Sequence, residues 1–227
     1  NQLHNGTVYN FDEEYRPKLF RRLRNFVWEE PIHEMVRLAP VVYDSDIVIT
    51  HMPEQNHADR DLGNFRKQIA AGRQLSRRLY GMYARELFLA GTVQDLWEAE
   101  NYFRTEVSSP DRSTDEITEG CCVAAKAARL RGDTVAFFKH TSKVIAGEGC
   151  SEICCELGHF YEEKQDYEEA AIWYYNAAYE TQPALTLRSA GEEPLQGLIR
   201  CYEQLGVPKQ AESYRKELKQ RQNENKK

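Results

Sequence analysis

Long apolar runs are missing from this chain of 227 residues. None approaches the roughly 20 residues that span a bilayer, and no signal-like apolar stretch opens the sequence. The expectation is a soluble, cytoplasmic protein without a membrane span. An excess of positive charge is missing as well: 30 Lys and Arg stand against 36 Asp and Glu, a formal net charge of −6. Phosphate contacts need a concentrated cationic face, so nucleic acid is not an expected partner. No C-x-x-C pair occurs among the six cysteines, and the adjacent doublets Cys121-Cys122 and Cys154-Cys155 are poorly spaced for ordinary zinc ligation. Cys150 and Cys154 could share one helix face, with His159 further along, but reduced, buried thiols are the expectation.

Proline is scarce after the first quarter of the chain. Pro17, Pro31, Pro40 and Pro53 break residues 1–57 into short apolar pieces, and the next proline is Pro110. The β-branched stretch from Val41 to Thr50 reads as one or two strands around a polar turn at Asp44-Ser45-Asp46. Lys18 to Arg21 and Phe26 to Trp28 read as further strand pieces. From residue 58 the helix formers Arg, Gln, Leu, Ala and Glu take over. Helix is expected to about residue 221, with breaks at Gly91-Thr92, Ser108 to Pro110, Gly132-Asp133, Gly147 to Gly149 and Thr186 to Gly191. Arg60, Arg66, Lys67, Arg73, Arg77 and Arg78 fall on what reads as one long first helix, as a solvated face. Residues 222–227 are polar and read as a frayed end. Asn5-Gly6-Thr7 spells a glycosylation sequon, which means little in a chain read as cytoplasmic.

What is present is a repeat. Leu157-Gly158, Tyr161, Tyr167, Ala170, Trp173-Tyr174 and Ala177 follow one another in the order of a tetratricopeptide unit. Two helices pack closely when one contact position is small, and Gly158 and Ala170 supply such positions. A second copy runs through Leu198, Tyr202, Leu205-Gly206, Ala211, Tyr214 and Leu218, with Tyr161 and Ala170 both recurring 41 residues later. A unit of this kind is about 34 residues, so roughly seven extra residues loop out, most naturally at Thr186 to Gly191. Weaker copies pass through Tyr80, Tyr83-Ala84, Ala99 and Phe103, and through Cys121-Cys122, Ala128, Ala136 and Phe137. The reading is a mainly α protein: a tetratricopeptide-like solenoid of helical hairpins over 58–227, after a small β-containing segment over 1–57. Most of its aromatics read as core. The concave face of such a stack is lined by the first helix of each pair, which nominates Tyr80, Arg85, His159 and Arg200 as a binding surface for protein or peptide.

The first segment carries a second resemblance. Tyr15 to Arg21, Phe26-Val27-Trp28, Ile32-His33-Glu34 and Asp46 to His51 resemble the closing part of family 2 glycosyltransferases of the GT-A, SunS-like kind, whose members often continue into tetratricopeptide repeats. The resemblance implies a fragment of a nucleotide-sugar-dependent enzyme, since the family's donor site and Asp-x-Asp motif lie in a half absent before Tyr15. In a complete enzyme it implies a divalent metal, Mn or Mg, with His33 and His51 as metal candidates and Glu34 as a candidate base toward an acceptor hydroxyl. This chain alone is expected to hold no cofactor and to be inactive. Glu30 stands where the family usually has Gly. The repeat domain would then hold a protein or peptide, possibly the glycosylation acceptor, or pair two copies of the chain as a homodimer. The alternative is a free-standing tetratricopeptide scaffold without catalytic activity, capped by its first 57 residues.

Overall fold

The computed structural model describes residues 19–20, 25–37, 43, 45–49 and 58–224. The described part is mainly helical, with one small two-stranded antiparallel sheet. Strands β1 (Trp28–Glu29) and β2 (Met35–Val36) pair Trp28 with Val36 and Glu29 with Met35. Residues 45–49 form no strand. Instead the Ile47 N–H donates to Ser45 Oγ at 3.0 Å, so the expected polar turn bends the chain while the flanking Ile47, Val48 and Ile49 stay exposed. Residues 19–20 form no strand either, and Phe20 instead packs beside Phe26 and Trp28. Asn5-Gly6-Thr7, His51 and the ends of the Val41–Thr50 stretch lie outside the described residues.

The helices are α1 (Ala58–Ala70), α2 (Arg77–Ala90), α3 (Val93–Glu106), α4 (Thr114–Arg131), α5 (Thr134–Ile145), α6 (Ser151–Glu163), α7 (Tyr167–Tyr175), α8 (Glu192–Gln204) and α9 (Pro208–Glu224). Local chemistry sets their ends. Thr92 with Asp95 and Ser113 with Glu116 form capping boxes at α3 and α4. Asp133 and Asp166 cap α5 and α7 through the backbone N–H of Ala136 and Glu169. Gly132 closes α4 in the left-handed region at φ 77°. The expected breaks at Gly91-Thr92 and Gly132-Asp133 fall where these caps sit, and those at Ser108 to Pro110, Gly147 to Gly149 and Thr186 to Gly191 also fall between α-helices. Three further breaks lie outside that list: 164–166 and 205–207, which divide the hairpins of the repeat, and 71–76, where α1 ends at Ala70 and α2 begins at Arg77, so Arg73 lies in a turn and Arg77 and Arg78 open a second helix. The tail also differs from expectation, because α9 continues through residues 222–224.

Packing follows chain order. Each of α5, α7 and α9 lies against the helix before it, α3 lies against α4 and meets α2 through the rings of Tyr80, Tyr83 and Phe103, and α2, α4, α6 and α8 touch one after another. α6 and α7 begin at 151 and 167, α8 and α9 at 192 and 208, a spacing of 41 residues in both cases. Glycines stand where rings cross. Tyr174 is fully buried between α6 and α8; a methyl on Gly158 would lie 2.6 Å from its ring, and one on Gly197 2.5 Å. Gly120 gives the same clearance to the Tyr80 hydroxyl. Buried Arg112 ties α2, α3 and α4 together. It donates to Glu106 (2.7 Å), Glu116 (2.8 Å) and the Leu75 carbonyl (3.1 Å), with its guanidinium 4.3 Å from the Tyr80 ring centre.

The extra residues of the longer interval are not a solvent loop. A π-helical turn (Asn176–Glu180) leads into residues 181–186 and a 3-10 turn (Leu187–Ala190), with Leu185, Thr186 and Ser189 buried. Glu152, at the start of α6, accepts the backbone N–H of Ala184 (2.9 Å), Leu185 (2.8 Å) and Thr186 (2.8 Å). The insertion is thereby pinned over the α6 N-terminus.

Candidate functional site

The first-segment candidates lie on the hairpin turn between β1 and β2. Glu30 (φ 73°) and His33 (φ 50°) both sit in the left-handed region, which explains why glycine suits position 30. Glu30 keeps the conformation with help: Ser76 Oγ donates to its carboxylate at 2.6 Å, while the same hydroxyl oxygen accepts from Leu79 N–H to cap α2. Ile32 enters the core with Leu62 and Phe65, and Arg78 donates to the His33 carbonyl at 3.1 Å. The His33 ring packs near Phe65, with Nε2 3.9 Å from Asp61; burial lowers its pKa, outweighing the pull of Asp61 in the other direction. Glu34 is exposed. Among the described residues no set of three metal-type donors includes His33 or Glu34, and His51 is outside them. What is described of this turn docks it against α1 and α2.

The repeat-surface candidates divide. Tyr80 is fully buried against Tyr102 and Phe103, so it offers nothing to a partner. Its hydroxyl has no hydrogen-bond partner among the described residues, and burial pushes its pKa up. Arg85 is buried as well, 4.0 Å from Glu119. Both were expected on a surface. The misplacement follows from the helix face: α2 is overlain by α4 on that side, and Gly81 and Gly120 let the two approach closely.

His159 and Arg200 do come together, through Tyr174. The Tyr174 hydroxyl donates to Glu162 Oε2 at 2.7 Å and lies 2.7 Å from His159 Nδ1. His159 Nε2 is 3.0 Å from Glu193. Arg200 makes a two-pronged contact with Glu162, at 2.6 and 2.8 Å. Burial would raise the Glu162 carboxyl, but Arg200 and Tyr174 outweigh it and hold it below the usual range; His159 does the same for Glu193. The network joins α6, α7 and α8, and the Arg200 side chain remains 45% exposed. Arg200 and both ring nitrogens of His159 are thereby paired within the chain, so the α6–α8 face they share is polar with its charges matched. Sequence reasoning named two of the five residues. It missed Glu162, Glu193 and the role of Tyr174, although His159, Glu162 and Glu163 following Gly158 signal a polar face beside a helix crossing.

All six cysteines are free and buried, as expected. The grouping differs from the one considered from sequence: His159 is committed to Tyr174 and Glu193, and Cys150 meets Cys122, with the two sulfurs 3.5 Å apart. Burial pushes both Cys121 (to about 11) and Cys122 upward. No apolar helix among the described residues is long enough to cross a membrane. Comparison of the chain with family models, with curated proteins and with solved structures finds no match in any of the three.

Proposed function

We propose that this chain is a tetratricopeptide-like helical solenoid that binds protein or peptide, attached to the closing piece of a family 2 glycosyltransferase domain. The observation that carries the repeat reading is the neighbour-to-neighbour packing of α2, α4, α6 and α8, with α5, α7 and α9 each laid on the helix before it. The identical 41-residue offset of α6–α7 and α8–α9 supports it, as do the glycines at the ring crossings. The bound partner is a protein or peptide, met along the α6–α8 face where the Arg200 side chain is exposed beside His159. Selection of peptides from a displayed library on the whole chain tests this. Binders that lose at least about tenfold in affinity on Arg200→Ala, an effect of roughly 1.4 kcal/mol, support it. Binders indifferent to both Arg200→Ala and His159→Ala sink it.

The enzymatic half of the proposal rests on the resemblance of residues 15–51, helped by the left-handed backbone at Glu30 where that family carries glycine. The parent enzyme would use a nucleotide sugar and a divalent metal, Mn or Mg, with Glu34 as base and His33 and His51 near the metal. The whole-length gene is the test. A reading frame with Asp-x-Asp on the order of 100 residues before Tyr15, a normal domain length, supports it. A start codon directly before Asn1 overturns it. The second reading, a scaffold with no catalytic activity, is favoured by the way the hairpin closes over α1 and α2 through Ile32, Glu30 and His33.

A further inference from the structure

Glu152 presents an anomaly. Its side chain is fully buried, yet no Lys, Arg or His among the described residues lies within ion-pair distance of it. A carboxylate has about four acceptor directions. Three are filled by the N–H groups of Ala184, Leu185 and Thr186, and its own backbone N–H faces it as a fourth, an intra-residue contact that a cation can displace. Two sulfurs stand beside it. Cys122 comes from the middle of α4, and Cys150 occupies the N-cap position of α6 without any side-chain capping bond. One donor atom from each of Cys122, Cys150 and Glu152 lies within 4.8 Å of the others.

We infer that Cys122, Cys150 and Glu152 form a binding site for one thiophilic divalent cation of the zinc class. In a tetrahedral shell with metal–sulfur bonds of about 2.3 Å, two thiolates stand about 3.8 Å apart. The observed 3.5 Å asks for only a small opening. The exchange balances: one divalent cation enters, two thiol protons leave to solvent, and the net charge of the pocket is unchanged while its positive centre sits beside the carboxylate. Two S–M bonds and one O–M bond form, and two S–H bonds break, with no change of oxidation state. The lid is in place as well. Ser151 N–H donates to the Gln182 carbonyl at 3.0 Å, so the 181–186 segment closes the site against the α6 N-terminus. Holding this cation would lock α4, α6 and the insertion into one body.

The probe is Cd²⁺ added to the reduced, chelator-stripped whole chain, read by the ultraviolet thiolate-to-cadmium charge-transfer band. The band is expected to saturate at one ion per chain and to be suppressed by Zn²⁺. Losing an outer-shell partner costs 10–100-fold in affinity, so Cys122→Ser or Cys150→Ser should each weaken binding by at least about 100-fold. Cys201→Ser, on α8, should leave binding unchanged. The inference is overturned by no band at stoichiometric cadmium, by a band that survives both Cys122→Ser and Cys150→Ser, or by a Cys122–Cys150 disulfide in the chain as isolated. Should those variants fail to fold, X-ray absorption on the zinc-loaded wild-type chain decides: a sulfur shell at about 2.3 Å supports the site, and an all-oxygen or nitrogen shell overturns it.

Discussion

Single residues here answer to burial before they answer to function. Tyr80 matches the aromatic position of a repeat, yet its hydroxyl is buried without a hydrogen-bond partner among the described residues. Tyr80→Phe is therefore expected to stabilise the chain by about 1 kcal/mol, measured by urea denaturation at neutral pH. Glu119 is the opposite case, a carboxyl that burial against Gly81 pushes up to about 7 in spite of nearby Arg85. Its folded pKa lies above the ordinary 4.5, so its contribution to stability is fully present below pH 4.5 and is lost as pH rises through 7. The unfolding free energy should fall across that window by on the order of 2 kcal/mol, a component that Glu119→Gln removes and that denaturant titrations at several pH values measure. Glu162 and Glu193 act in the other direction: their carboxyls are held low, and their share is lost only as pH falls below the ordinary carboxylate range.

At the scale of elements, boundaries were legible wherever capping chemistry is local. Thr92 before Asp95, Ser113 before Glu116 and Gly132 before Asp133 mark their ends in the sequence. The break between α1 and α2 carried a signal of the same type, Gly72 at φ 73° and Ser76 as a cap, but Gln, Arg and Leu around it have strong helix propensity and hid it. The strands were less legible. Val41 to Thr50 has the composition of a strand, but strand formation needs a partner edge, and none meets residues 45–49 among the described residues. The glycines of the repeat were readable as small positions, though not what fills the space they leave. Tyr174 does, from both sides, so Gly158→Ala is expected to destabilise the chain by about 2–3 kcal/mol with little loss of helicity. Circular dichroism through a denaturant titration checks both halves of that statement.

Across the whole molecule, contacts run between near neighbours in the chain. α9 lies on α8, sealing Leu198 and Cys201 with Tyr214 and Leu218, while its outer side is polar. Removing residues 206–227 should therefore expose Cys201 to thiol reagents while leaving Cys121 and Cys122 protected. Mass spectrometry of labelled peptides distinguishes this local loss from global unfolding, in which all six thiols react. The α6–α8 network was half-visible beforehand because its members lie 34 and 38 residues apart, on helices whose relative rotation no local pattern fixes.

One serine stands at the joint between the two halves. Ser76 gives its proton to the hairpin at Glu30 and its lone pair to the first turn of α2, and Arg78 grips the hairpin two residues later. A pull on the hairpin is thus a pull on the start of a helix that reaches to Ala90. Whatever tugs at the residues before Arg37 has a lever in its hand, and the far end of that lever rests in the repeat core.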